Sequence, residues 1–200
     1  MPPHQTLLSI GSFVVTLALA CLQHWSATDL VWSMWIASLA TGYALILTTV
    51  IGDLTRRRDS AASGGGVAAA VVTLLFFSAH FLLFHSVQGL ILNGFFPLLK
   101  RPQDGLQALL PLAAAALQRY WPLVLTSAVT MLASFHDAWR TEPSQFMARP
   151  YASVARNHVM IFVVAGMDAL GAGALVLYGL LVLYFFPFQL LRTQRRGQPR

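Results

Sequence analysis

Residues 67–92 read VAAAVVTLLFFSAHFLLFHSVQGLIL and hold no aspartate, glutamate, lysine or arginine. As a helix this stretch is about 39 Å long at 1.5 Å per residue, enough to cross the roughly 30 Å hydrocarbon core of a bilayer with tilt. A helix is the expected form, because no water inside a bilayer satisfies an open backbone. Upstream, Thr6–Gln23 and Leu30–Ile51 are apolar runs of the same kind. Between the second run and residue 67, Asp53 to Gly66 carries Arg56-Arg57-Arg58 and a Ser/Gly-rich stretch, the composition of a flexible polar connector.

Downstream, Tyr120-Trp121-Pro122 reads as an interfacial aromatic anchor opening a fourth span, Tyr120–Phe135. A fifth is expected over His158–Gly173 and a sixth over Leu175–Leu191, with a basic tail from Arg192 to Arg200. Leu106–Leu117, interrupted by Pro111, reads as a helix on the outer interface or as a re-entrant segment. His136 to Asn157 is a polar loop or short surface helix. Trp25, Trp32 and Trp35 flank the outer end of the second span as interfacial anchors. The fold class expected is therefore all-α, a polytopic transmembrane helical bundle forming one membrane domain of about six spans.

Composition agrees. Of 200 residues, 56% are hydrophobic and 10% charged, against about 25% charged in soluble domains. The net charge of +6 does not point to nucleic acid, because the basic residues cluster at the ends of apolar runs rather than along a groove. One cysteine, Cys21, excludes an internal disulfide. Ala18-Leu19-Ala20-Cys21 is a poor lipoprotein site, with leucine misplaced and no positive charge before the apolar run.

Charge also sets a direction. Six spans place Arg56, Arg57, Arg58, Arg140, Arg149, Arg156, Arg192, Arg195, Arg196 and Arg200 on one side, with only Lys100, Arg101 and Arg119 opposite. The positive-inside rule then puts both termini in the cytoplasm, in a bacterial inner membrane.

Titratable groups at membrane depth are costly and usually face protein or a water-filled cavity. His80, His85, Gln88, His158 and Asp168 are the candidate intramembrane polar site. His80 lies roughly 20 Å along its helix, and Asp168 roughly 15 Å beyond His158. An imidazole and a carboxylate at matching depth can pair, share a proton or help hold a cation. Against this stands a purely structural role, in which both only hydrogen-bond across helices. His80 and His85 are five residues apart, about 140° around a helix, which suits one chelated ion poorly. Thr126, Thr130, Ser134 and Asp137 recur at helical spacing as a polar stripe, a pattern that close helix packing also produces. No P-loop, His-Glu-x-x-His, Gly-x-Ser-x-Gly or Cys-x-x-Cys is present.

The stretch Met147-Ala148-Arg149-Pro150-Tyr151, followed by His158 at the opening of an apolar span, resembles a family of uncharacterised bacterial and archaeal polytopic membrane proteins. Their pattern is Met-x-x-Pro-Tyr-x-Arg before a histidine that opens a membrane helix. Its arginine falls on Ser153 here, with Arg156 one turn on. Phe77-Ser78-Ala79-His80-Phe81 is similar to that family's aromatic-rich histidine stretch, and a second family histidine falls at about Gln88. A Trp-x-Glu-Asn pattern matches only at Trp35, with Ala37 in the glutamate position. The resemblance implies a divergent member and a multi-span layout. It implies no activity.

Three functions remain open on the sequence: a small transporter or ion- and proton-handling protein; a non-catalytic subunit resting on a membrane-protein partner or a second copy; and, third because ligand spacing is missing, a metal- or haem-binding enzyme. The sequence names no cofactor. The one partner it specifies is the lipid bilayer.

Overall fold

The computed structural model describes residues 3–59, 64–99, 105–141 and 148–171, together with 178, 179, 182 and 183. Six α-helices order these residues: α1 Pro3–Leu22, α2 Ala27–Asp59, α3 Gly64–Phe95, α4 Leu109–Thr130, α5 Leu132–Arg140 and α6 Ala148–Ala169. A 3-10 turn, Gly105–Ala108, leads into α4, and no strand occurs among the described residues. The expected sixth span and the basic tail lie outside them, apart from four helical positions between 178 and 183.

The turn between α1 and α2 is built by two local devices. Trp25 N–H donates to the Ala20 carbonyl and His24 N–H to Cys21, a Schellman ending whose left-handed residue is His24, at φ 49°. Ser26 then caps α2. The Asp29 carboxylate accepts from the Ser26 N–H at 2.9 Å and its hydroxyl at 2.7 Å, while Ser26 Oγ accepts from the Asp29 N–H. This is a capping box with aspartate in the third position.

Helix α2 is the axis of the bundle and packs against α3, α4, α5 and α6. Side-chain contacts fix the directions. Trp32 meets Phe96, Trp35 meets His85 and Tyr43 meets Ser78, so α3 runs antiparallel to α2. His80 packs on Tyr151 and Phe84 on His158, so α6 runs alongside α3 in the same sense. Glycines allow the closest approaches. A Cβ on Gly42 would stand 2.5 Å from the Phe81 ring, and one on Gly52 would collide with the Trp139 backbone carbonyl.

Among the described residues, three helices are long and apolar enough to cross a membrane: Ala27–Arg56, Val67–Phe95 and Gly105–Thr130. The last is not straight. Tyr120 leaves helical geometry (φ −115°, ψ 17°), two residues before Pro122. Proline in a helix interior removes a donor and clashes with the carbonyl four residues back, which accounts for the break. On one side of it, Leu109 lies by Gly89 and Trp35, and Tyr120 reaches Asp29 at the start of α2. On the other, Ala138 packs with Leu45, and Trp139 touches Gly52. The chain thus approaches the head of α2, turns at Tyr120, and runs down beside α2.

Two boundaries differ from expectation. Residues 106–117 are continuous with the start of the fourth apolar run in one broken helix, and a second break at Met131 separates it from α5. Helix α6 begins ten residues earlier than His158, inside the stretch expected as a loop or short surface helix. A third expectation fails on facing. Trp32 and Trp35 are not interfacial anchors but buried residues, at 0% and 2% exposure. Their indole N–H groups donate to the carbonyls of Phe96 at 2.7 Å and His85 at 3.0 Å.

Candidate functional site

The buried apolar residues form two principal layers along α2. One joins Trp25, Trp32, Trp35, Leu92, Phe96, Leu112, Tyr120, Ile161 and Val164. The other joins Ile46, Val50, Ala70, Phe81 and Val154. Between them, on three different helices, lie Ser38, His85, Gln88 and Asn157, all buried. On α2, Ser38 separates Ala37 of the first layer from Ile46 of the second. On α3, His85 and Gln88 fall between Phe81 and Leu92. On α6, Asn157 falls between Val154 and Met160.

His85 is 1% exposed. Its Nδ1 lies 3.1 Å from the Phe81 carbonyl and its Nε2 3.4 Å from Ser38 Oγ. A carbonyl only accepts, so Nδ1 carries the proton, and in the neutral ring Nε2 accepts from the serine hydroxyl. Asn157 donates Nδ2–H to the Met34 carbonyl at 3.2 Å. His158, half-buried, sets Nδ1 3.0 Å from the Val154 carbonyl and faces Phe84. Gln88 stands apart. It is 2% exposed, and neither its amide nitrogen nor its amide oxygen has a hydrogen-bond partner among the described residues.

His85 and Gln88 are buried three residues apart on α3, and His158 is half-buried on α6 facing Phe84; the other two expected members lie elsewhere. His80 is exposed on the opposite face of α3, packed among the rings of Phe76, Phe84 and Tyr151. Asp168 is exposed near the end of α6. It lies seventeen residues, about 25 Å of helix, beyond the Tyr151 that His80 touches. The two do not form a pair. Nor do the stripe residues make an internal path. Thr126 and Thr130 bond back to the carbonyls of Leu123 and Ser127, and Ser134 and exposed Asp137 sit beyond the break at Met131. Of the family-like motif, Met147 lies outside the described residues, Pro150 falls in the first turn of α6, and the Tyr151 ring lies on Phe77, His80 and Phe81. No group of three or more metal-ligating side chains occurs among the described residues.

The chain belongs to a family of unknown function (DUF6498), which it matches over residues 3–194. Neither a curated protein nor a solved structure matches it. Membership in this family brings no activity with it, so chemistry rests on the geometry.

Sequence reasoning missed a second polar cluster, at the head of α2. Asp29 Oδ1 accepts from the Tyr120 hydroxyl at 2.8 Å and from Arg119 at 2.7 Å, in addition to its Ser26 bonds. The signal was Ser26-x-x-Asp29 ahead of an apolar run. With both carboxylate oxygens taken by the protein's own donors, this cluster is a clamp that holds the Tyr120 turn against α2.

Proposed function

We propose that this is a multi-span membrane protein that handles protons, or small ions that move with them, at the buried layer of His85, Gln88, Ser38 and Asn157. The observation that carries the reading is Gln88. An amide two donors and one acceptor strong is sealed among apolar layers, three residues from the His85 imidazole, with no hydrogen-bond partner among the described residues. Each unmade buried hydrogen bond costs about 1–3 kcal/mol. Such a group is retained where a water, proton or ion supplies the missing partner for part of a working cycle.

The finer topology belongs to the same proposal: about six spans, both termini cytoplasmic, in a bacterial inner membrane. Its support is alternation. Helix α2, helix α3, the chain beyond Tyr120 and helix α6 run in successively opposite directions. Arg56 and Arg140 meet at one end of α2, and Arg119 sits at the other.

The test is proton flux. Purified protein in pyranine-loaded liposomes under a potassium diffusion potential passes protons faster than protein-free vesicles. Both His85→Ala and Gln88→Met abolish the difference, and His80→Ala leaves it. Native protein no faster than empty vesicles ends the reading.

A second reading, a subunit of a membrane complex, is favoured by α3. Helix α3 buries little of itself, and His80 lies exposed on its surface among Phe76, Leu83 and Phe84. A stoichiometric partner co-purifying in mild detergent supports it.

A further inference from the structure

The end of α2 and the short helix α5 border an open cleft of about 360 Å³ lined by Arg56, His136, Trp139 and Arg140. Its volume falls within the roughly 300–1,000 Å³ of small-ligand sites. Gly52 lets the α5 backbone press directly on α2 at Trp139. The Arg56 guanidinium donates to the carbonyls of Trp139 and Thr141, which fixes its plane across the gap.

The two arginines of the cleft are not equivalent. Asp53 lies 3.6 Å from Arg56, and Asp137 lies 4.0 Å from His136. Arg140 has no carboxylate partner among the described residues. A guanidinium presents five N–H donors in a fork matched to phosphate oxygens. Trp139, partly exposed, brings an amphipathic ring to the same rim, the residue enriched where membrane meets water. The apolar part of α2 has ended by this level, at Asp53 and Arg56.

We propose that this cleft binds a phosphate group, with Arg140 and His136 of α5 and the oriented Arg56 of α2 as its donors. Two sources share that chemistry: the headgroup of an anionic phospholipid, and free phosphate. A bound phosphate joins α5 to α2 through oppositely charged contacts and so locks the basic end of the bundle. The site is separate from the His85–Gln88 layer and does not depend on its function.

The experiment follows the thermal midpoint and the tryptophan emission of purified full-length protein in a neutral detergent. It is titrated in separate arms with dihexanoyl phosphatidylglycerol, with dihexanoylglycerol lacking the phosphate, and with inorganic phosphate. The expected result is a saturable rise with the phospholipid and none with dihexanoylglycerol. Saturation by inorganic phosphate at similar concentration assigns the free ion as the source instead. Arg140→Gln weakens binding about tenfold or more, the worth of a charge-assisted contact. Arg140→Lys recovers part of the loss. Arg156→Gln, which removes the same charge from α6, serves as the control and leaves affinity unchanged. No saturable binding in any arm overturns the proposal, as does equal loss in Arg140→Gln and Arg156→Gln.

Discussion

Replacing Gln88 by methionine removes an amide with no partner among the described residues and nearly conserves its volume, so little repacking strain is expected. Two buried atoms without partners, at about 1–3 kcal/mol each, set an upper bound of about 2–6 kcal/mol recovered. The bound is too high for a membrane setting, where the unfolded chain also finds partners and interhelical hydrogen bonds average about 0.6 kcal/mol, reaching about 1.7. A stabilisation of about 1–3 kcal/mol is therefore expected, roughly five- to 150-fold in the unfolding equilibrium. Reversible unfolding in mixed micelles reads it directly, and the liposome assay reads flux on the same preparation. The reasoning requires the two to move in opposite directions, with stability rising and flux disappearing, as when strain is kept for function. A variant less stable than native by 1 kcal/mol or more with unchanged flux refutes it, because Gln88 would then be an ordinary packing residue with a satisfied amide.

Three further outcomes test the fold. Gly52→Ala forces a Cβ against the Trp139 backbone, which cannot swing aside as a side chain can, so α5 lifts from α2 at a cost of about 1–3 kcal/mol in the unfolding midpoint. His24→Gly relieves a left-handed residue at the end of α1 and stabilises by about 1 kcal/mol, measured by the same unfolding curve. Tyr120→Phe removes a hydrogen bond to the Asp29 carboxylate and costs about 1.5–3 kcal/mol; Asp29→Asn costs at least as much, because Arg119 then loses its counter-charge. A Tyr120→Phe protein as stable as native would remove the clamp from the account of the α4 turn.

The apolar runs could be found in the sequence because they are long and bounded by arginines. Which way their residues face could not. Helices α2 and α3 are apolar almost all round, so no periodic stripe marks an inner side, and Trp32 and Trp35 looked like anchors by position alone. His80 and His85 could not both face inward, but spacing does not say which one does. A usable signal was Gly89, four residues after His85 and on its face, where the Trp35 ring lies 3.0 Å from the position of a Cβ. Small residues mark the side where another helix comes close. The break in α4 was obscured by two prolines of equal appearance. Pro111 falls in the first turn, where a missing donor is harmless, whereas Pro122 sits in the interior and bends the chain. Asp168 was paired with His80 by depth counted from helix starts, and α6 begins a full ten residues before the assumed start.

The polar layer is best understood by comparing its members with each other. Trp32, Trp35 and Asn157 are buried donors: Trp35 and Asn157 reach backbone carbonyls within neighbouring helices, and Trp32 reaches that of Phe96, just past the end of α3. A helical carbonyl keeps a second lone pair after its own hydrogen bond, so these pins are available wherever two helices approach closely. The interior therefore has a ready way of satisfying buried N–H groups, and it uses that way three times within the apolar layer and its border. Gln88 lies in the same interior, one residue from Gly89 and three from His85, and carries two N–H groups that could have been satisfied by the same means. That they have no partner among the described residues, where equivalent donors do, is the difference on which the proposed role of Gln88 rests.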